Sequence, residues 1–346
     1  LCYKKLNMSK KNSNVILKSA FKNNAEISKI YLDFKKELNN SRTYSYAIAV
    51  SGGPDSLALV ALAKELSMES KKFFYYILID HKIRKNSSRE AKSVKDLLYK
   101  HGITLKVIKN NQKITKNIQS KAREIRYKLL TDFCKINKIK TLLTAHNLED
   151  QVETFFIRLS RGSGLTGLSG MNPSTVLTGN IKLQRPLLNV NKRILEKISY
   201  KVFGKYLKDP SNNNEKYLRT RVRKLRQPLK KSGINYEQII KSINNLNSSR
   251  QTLDQYLKEI LKKTLKKSHG KITVNYNEFK KLNLDIQIHI INKSIKMLKK
   301  NYYTPRSKKV INLINRLNNK SFKRSTLGGC LFDKKKDLIY LKIEKK

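Results

Sequence analysis

The sequence predicts an α/β fold, a doubly wound parallel sheet in the N-terminal part followed by a helical region and a small α+β region at the C-terminal end. Three observations predict it. Residues 41–161 alternate short apolar runs with longer amphipathic ones, the rhythm of repeated strand–helix–strand units. The apolar run Tyr46-Ala47-Ile48-Ala49-Val50 leads directly into Ser51-Gly52-Gly53-Pro54-Asp55-Ser56, so a buried strand passes through a glycine turn into a helix. From about residue 235 the apolar period changes to three and four, and strand-like runs return only near the C-terminal end.

Taken in order, strands are expected at Tyr44–Val50, Phe73–Ile79, Thr104–Lys109 and Thr141–Ala145, and helices at Asp55–Leu66, Ser87–Lys100, Ile118–Asn137 and Leu148–Ser160. In such a sheet ligands bind beyond the carboxyl ends of the strands. Three strands end there in chemically useful groups: Ser51-Gly52-Gly53, Asp80-His81, and His146-Asn147-Leu148-Glu149-Asp150. Residues 161–190, rich in Gly, Ser, Thr and Pro with apolar residues interleaved, read as an ordered loop, a flexible connector being the plainer alternative. A basic segment follows, Lys216 to Lys231, in which eight of sixteen residues are Lys or Arg. Three apolar stripes then mark packing helices: Leu253, Tyr256, Leu257, Ile260, Leu261 and Leu265; Leu284, Ile288, Ile291, Ile295 and Leu298; and Val310, Leu313, Ile314 and Leu317. The runs Ser325–Asp333 and Leu338–Ile343, on either side of Lys334-Lys335-Lys336-Asp337, read as a hairpin. The expected organisation is a basic leader at 1–40, a nucleotide-handling domain at 41–226, a helical RNA-binding domain at 227–300 and a small domain at 301–346.

The 346 residues carry 76 Lys+Arg against 25 Asp+Glu, a formal net charge of +51. Such a field draws polyanions and speeds encounter with nucleic acid, although abundant Lys, Asn and Ile throughout also point to biased composition. Three scattered cysteines, Cys2, Cys134 and Cys330, argue against a disulfide framework, a paired-cysteine zinc site or an iron–sulfur cluster, and fit a reducing cytoplasm. No run approaches the ~18–20 apolar residues of a membrane span. The first forty residues lack a secretory pattern; a basic organelle-targeting segment stays open.

The glycine turn lets backbone N–H groups approach an anion, and the following helix N-terminus adds partial positive charge: the chemistry of holding a pyrophosphate. No Gly-Lys-Ser/Thr follows, so the turn is neither a Walker loop nor a GxGxxG dinucleotide loop. Ser51, Gly52, Gly53, Pro54, Asp55 and Ser56 form the candidate ATP cradle. Asp55 suits Mg2+ through its carboxylate or serves as a helix N-cap, and the two are compatible. His146 closes a strand, as a structural hydrogen-bonding group or a functional one. Glu149, Asp150 and Glu153 open a helix, where they complement its dipole or hold magnesium or a cationic substrate. Arg123 and Arg126, three apart on a helix, either lie on a solvated face or grip phosphate or carboxylate. Asp209-Pro210-Ser211-Asn212 makes a capped turn before the alternating Arg219, Arg221 and Arg223.

Together, SGGPDS at 51–56, AREIRY at 122–127, AHNLEDQVET at 145–154, LSRGSGLTGLSGM at 159–171, RPLL at 185–188 and DPSNNNEKYLRTRVR at 209–223 closely resemble the tRNA(Ile)-lysidine synthetase family of PP-loop ligases. The blocks stand in family order across residues 46–226, and STLGGCLF at 325–332 resembles the end of the longer members. The resemblance implies a PP-loop, Rossmann-like fold. It implies ATP and Mg2+ as cofactors, and free L-lysine and a tRNA(Ile) with a CAU anticodon as partners. The implied reaction adenylates the wobble cytidine at C2, after which lysine displaces AMP. The resemblance carries ATP binding onto Ser51 to Ser56 and catalytic roles onto Asp55, His146, Asp150 and Arg123. Arg126, Glu149, Arg219 and Arg221 become substrate or tRNA contacts. A thiolase-type PP-loop enzyme and a non-catalytic tRNA-binding protein are the alternatives, and the oligomeric state stays open, a homodimer included. The family's usual His-His-x-Asp-Asp run reads His146-Asn147-Leu148-Glu149-Asp150 here, and the basic leader matches nothing in the family.

Overall fold

Burial of both faces of the first strand sets the sheet. In β1 (Ser45–Val50), Tyr46, Ile48 and Val50 enter the core on one face, and Ala47 and Ala49 enter the core on the other. The computed structural model describes residues 24–344 apart from 85, 113, 116, 208–216, 269, 300–304 and 320. Most of the expected leader (1–23) and the Asp209–Lys216 part of the turn-and-arginine block lie outside the described residues. The chain divides into two compact units, Leu1–Asn247 and Ser248–Lys346.

The first unit holds α1 (Ala25–Asn39), β1, α2 (Pro54–Glu69), β2 (Phe73–Asp80), α3 (Ser87–Lys100), β3 (Leu105–Lys109), α4 (Ile118–Ile136), β4 (Thr141–Leu143) and α5 (Leu148–Leu159). It continues through α6 (Leu165–Leu168), β5 (Ser174–Val176), β6 (Lys182–Gln184), α7 (Lys192–Phe203), α8 (Leu218–Lys224), α9 (Arg226–Lys231) and the start of α10 (Tyr236–Thr264). The six strands run β3-β2-β1-β4-β6-β5, parallel except at the β5–β6 edge. α1, α2, α3 and α7 cover one face, and α4 covers the other with Leu130 and Cys134. The sequence therefore specified the doubly wound parallel sheet correctly, but gave no warning of β5 and β6, two three-residue strands too short to show a period.

From Leu57 to Ala63 α2 is apolar all round and buried all round, with no exposed surface. Burying each Leu or Val contributes about 1.5–3 kcal/mol, so the helix behind the glycine turn is a firm support. The strand order reverses between β1 and β4, whose carboxyl ends lie side by side. That is the switch point at which such sheets open a crevice.

The second unit packs α11 (Tyr276–Lys280), α12 (Leu284–Leu298) and α13 (Ser307–Asn318) on an antiparallel sheet ordered β7-β8-β11-β10-β9. Its strands are β7 (Leu265–Ser268), β8 (Lys271–Asn275), β9 (Arg324–Leu327), β10 (Cys330–Lys335) and β11 (Leu338–Ile343). The stripe Val310, Leu313, Ile314 and Leu317 is fully buried, whereas Leu253, Tyr256 and Leu284 stay exposed. Gly328 and Gly329, both at φ +67, turn the chain inside the run read as a single strand and split it into β9 and β10. A turn through Gly270 (φ +68) likewise makes β7 and β8 a hairpin where the sequence reads as helix.

Candidate functional site

The glycine turn occupies the mouth of the switch point. Gly52 has φ +83, and a Cβ there would stand 2.5 Å from Val94 Cγ2, so both backbone and packing demand glycine. Gly53 is extended and caps α2 without a side chain, leaving first-turn N–H groups without a side-chain cap. Ser56 braces the turn: its hydroxyl donates to Gly53 O at 2.9 Å and accepts from the Ser51 N–H at 3.2 Å. Pro54 holds the first helical position, where its missing N–H costs nothing.

Asp55, in the first turn of α2, lies in the same cleft as Asp150. Its Oδ1 is buried without a hydrogen-bond partner. Burial pushes its carboxyl up to about 6; Lys192 opposes that shift, Asp150 adds to it, and Asn147 opposes it. An orphaned, buried carboxylate oxygen beside a phosphate cradle fits a hard cation.

Across the cleft, β4 ends at Leu143 and the chain turns through Thr144, Ala145 and His146 into α5. His146 Nδ1 and Thr144 Oγ1 share a hydrogen bond of 2.9 Å. Burial, then Arg185, Arg123, Arg219 and Arg126, push the imidazole down to about 3, so it is neutral at physiological pH. Asn147 is the N-cap of α5: its Oδ1 accepts from the Asp150 N–H at 2.9 Å, while Asp150 Oδ2 accepts from the Asn147 N–H at 3.1 Å. This reciprocal pair turns the free edge of Asp150 toward the cleft.

There Arg219 Nη2 meets Asp150 Oδ1 at 2.6 Å and its Nε meets Glu153 Oε2 at 2.5 Å, while Arg223 Nε meets Glu153 Oε1 at 2.6 Å. Burial alone would lower the Arg219 pKa, but Asp150 and Glu153 outweigh it and raise it. Arg123 stacks its guanidinium over the Tyr127 ring at 5.0 Å, and Arg126 lines the cleft beside it.

The cleft has a volume of about 590 Å³ and brings together Ser51, Gly53, Pro54, Asp55, Ser56, Arg123, Arg126, His146, Asp150 and Arg219 of the sequence-predicted set. An adjoining slot of about 390 Å³, walled by Val50, Leu78, Ile83, Ala91, Val94 and Leu207, opens from the same Ser51. His81, at the end of β2, lines both spaces, and burial lowers its pKa. Gly52 lies behind the turn, packed against Val94 and Leu207, and two predicted side chains point elsewhere. Glu149 is buried on the far side of α5, where its Oε2 accepts from the Lys192 N–H at 2.8 Å and Arg226 Nη1 lies 3.6 Å from its Oε1. It reaches a separate trough of about 1540 Å³ walled by α1 and α7. Arg221 is exposed on α8 and does not line the cleft. Lys192 and Arg223 are the residues that sequence reasoning left without a role, and Glu153, read as a candidate for magnesium or a cationic substrate, is instead paired by Arg219 and Arg223. Arg223 continues the alternating arginines and Glu153 lies one turn beyond Glu149, but nothing around Lys192 marks it.

A phosphate-binding glycine turn at the switch point of a parallel sheet, facing a carboxylate–arginine cluster, defines a PP-loop nucleotide-binding protein, and a family model described as a PP-loop domain matches residues 26–229. The tRNA(Ile)-lysidine synthase of Wolbachia pipientis wMel is 34% identical over 304 residues, covering 86% of this chain and 70% of that protein. That of Orientia tsutsugamushi (strain Boryong) is 44% identical over 182 residues, covering 52% of this chain and 40% of that protein. The chain belongs to the tRNA(Ile)-lysidine synthase family. Among solved structures, a U34-tRNA thiolase from Methanococcus maripaludis matches with a TM-score of 0.55 at 20% identity, covering 64% of this chain and 80% of that one, a likeness of fold.

Proposed function

We propose that the chain joins free L-lysine to C2 of the wobble cytidine of a tRNA(Ile) with a CAU anticodon, at the expense of ATP. The cytidine O2 attacks the α-phosphorus, the bond to the β-phosphate breaks, and pyrophosphate leaves with the electron pair. The lysine ε-amine, having lost its extra proton, then attacks C2; the C2–O bond breaks and AMP departs. The observation that carries this reading is that one cleft holds both the glycine turn and the Asp150 carboxylate, with the buried Glu153 tied to it behind Arg219, so phosphate and amine chemistry meet at one point.

Ser51 to Ser56 hold the phosphates, and the apolar slot beyond Ser51 takes the base. Asp55 would hold Mg2+, which would supply charge neutralisation for the departing pyrophosphate. Arg123, Arg126 and Lys192 add positive charge around the phosphates. Asp150 and Glu153 receive the lysine ammonium. His146, held neutral, orients groups through hydrogen bonds rather than by titrating. Arg221 and the rest of the basic segment to Lys231 grip the tRNA backbone, together with the C-terminal unit. A sulfur-inserting reaction is disfavoured. Burial pushes the Cys134 thiol up to about 11 and raises Cys330, and each lies in the hydrophobic core of a different unit.

The test incubates purified protein with ATP, Mg2+, labelled lysine and tRNA transcripts bearing C or U at the wobble position. Label entering only the C-bearing transcript, with AMP and pyrophosphate released, is the expected result. No incorporation into any transcript overturns the assignment.

A further inference from the structure

The carboxylates that would receive an amine are already filled. Asp150 Oδ2 is taken by the Asn147 N–H and Oδ1 by Arg219; both Glu153 oxygens are taken, one by Arg219 and one by Arg223. One guanidinium thus bridges the two acids. The four side chains sum to zero charge, and Glu153 is only 4% exposed. A substrate ammonium added to this set would leave a net positive charge among Arg123, Arg126 and Lys192, which line the same cleft. It would also meet four oxygens that each already accept a hydrogen bond.

We infer that Arg219 is a placeholder for the amine substrate: the lysine ammonium exchanges with it at Asp150 and Glu153, and the released guanidinium turns to the phosphates held at the glycine turn. The inference rests on the proposed lysine and ATP sites and adds the order in which they fill. Arg219 is the cation that can leave. It is more exposed than Arg223 (39% against 33%), it alone bridges both acids, and it lines the cleft with Ser51, Gly53 and Ser56. Arg223 stays to pair Glu153, so the buried acid is never left uncompensated. The exchange swaps one cation for another at the acids and gives the displaced one an anion only when nucleotide is present. Lysine and ATP therefore favour each other's binding, and the factor is the same in both directions. Arg219 acts by keeping the amine site shut to stray cations until phosphates are in place.

The test measures labelled-lysine binding to the full chain by equilibrium dialysis, with and without Mg2+ and α,β-methylene ATP, which cannot be split between the α and β phosphates. Wild type is expected to bind lysine at least about tenfold more tightly with the nucleotide analogue, within the usual range of such coupling. Arg219→Gln vacates the acids, so its nucleotide-free affinity should rise about tenfold above wild type and the analogue should then add less than about threefold. A side chain that merely helped to hold the fold would give the opposite sign. Arg219→Lys, which keeps a cation there, should retain weak nucleotide-free binding. Equal wild-type affinity with and without the analogue overturns the inference, as does weaker nucleotide-free binding by Arg219→Gln. A wild-type measurement decides the matter even if that variant does not fold: in ¹⁵N-arginine-labelled protein, the Arg219 Nε–H signal, assigned by its loss in Arg219→Lys, should move only when lysine and the analogue are both added. A signal that stays fixed overturns the inference. Wild type that binds no lysine under any condition, tRNA included, instead removes the proposed function beneath it.

Discussion

Asp55→Asn should make the nucleotide-free protein more stable while abolishing turnover. The Asp55 carboxyl is pushed up to about 6 from an ordinary 3.8, chiefly by burial, and its Oδ1 has no hydrogen-bond partner. Between those two values the native state holds a proton that the unfolded chain has released, so the unfolded state binds fewer protons and stability falls as pH rises. Above the folded value the loss is complete. A gap of about two units at 1.36 kcal/mol each sets it near 3 kcal/mol. Asparagine keeps the shape and removes the charge. Urea denaturation followed by circular dichroism should show the variant about 2–3 kcal/mol more stable than wild type at about pH 7.5, and nearly equal to it at about pH 4. The same variant should lose the thermal stabilisation that Mg2+ and ATP give to wild type. A variant less stable than wild type at neutral pH, or a difference that ignores pH, would refute the placing of Asp55 as a carboxylate whose burial outweighs the help of Lys192 and Asn147.

Gly52→Ala combines a φ of +83 with a Cβ 2.5 Å from Val94 Cγ2, and should lower stability by about 1–3 kcal/mol and abolish nucleotide binding, both read from urea denaturation with and without ATP. Because Glu149 faces away from the cleft, Glu149→Gln should keep kcat/KM within about tenfold of wild type, whereas Asp150→Asn should lower it by more than about a hundredfold in the lysine-incorporation assay. His146 is held down to about 3 against an ordinary 6.5, so between those values the unfolded state binds the extra proton and stability falls with falling pH. His146→Gln should therefore reduce the loss of stability between about pH 7 and pH 4.5 by roughly 2 kcal/mol, measured by denaturation at the two pH values.

How much of this was legible in the sequence depended on whether a feature was local. The turn at Ser51–Ser56 is fixed by adjacent residues: an apolar strand, two glycines, a proline at the first helical position and an apolar helix. Each could be read from the string alone, as could the parallel sheet that the alternating runs imply. The partner of Glu153 could not, because Arg219 and Arg223 lie more than sixty positions away and meet it only through the packing of α8 on α5. Lys192 was invisible for the same reason. It reaches Asp55 because Glu149 caps the helix that Lys192 begins, a link across forty-three positions that leaves no periodic trace. The hairpin β7–β8 was missed where Leu265 extends an apparently helical stripe, and only the turn at Gly270 separates the two periods.

The two departures from the family's acidic run also become intelligible once direction is known. Position 147 is an N-cap with extended backbone, nearly buried, and its side chain must accept from the Asp150 N–H. Asparagine is among the best residues for that task. It therefore preserves the reciprocal bond that aims Asp150, even though it cannot move a proton. Position 149 points to the opposite side of α5, where glutamate's reach brings an oxygen within 2.8 Å of the Lys192 N–H. Neither residue lines the cleft itself; each acts on it from behind, Asn147 through Asp150 and Asp55, and Glu149 through the Lys192 N–H. Two of the acids that line the cleft, Asp55 and Asp150, lie in the first turns of two helices that open from neighbouring strands. Motif similarity weighs all five positions of the run alike, whereas the helix divides them: Asp150 and His146 line the cleft, and Asn147 and Glu149 belong to the frame that holds it.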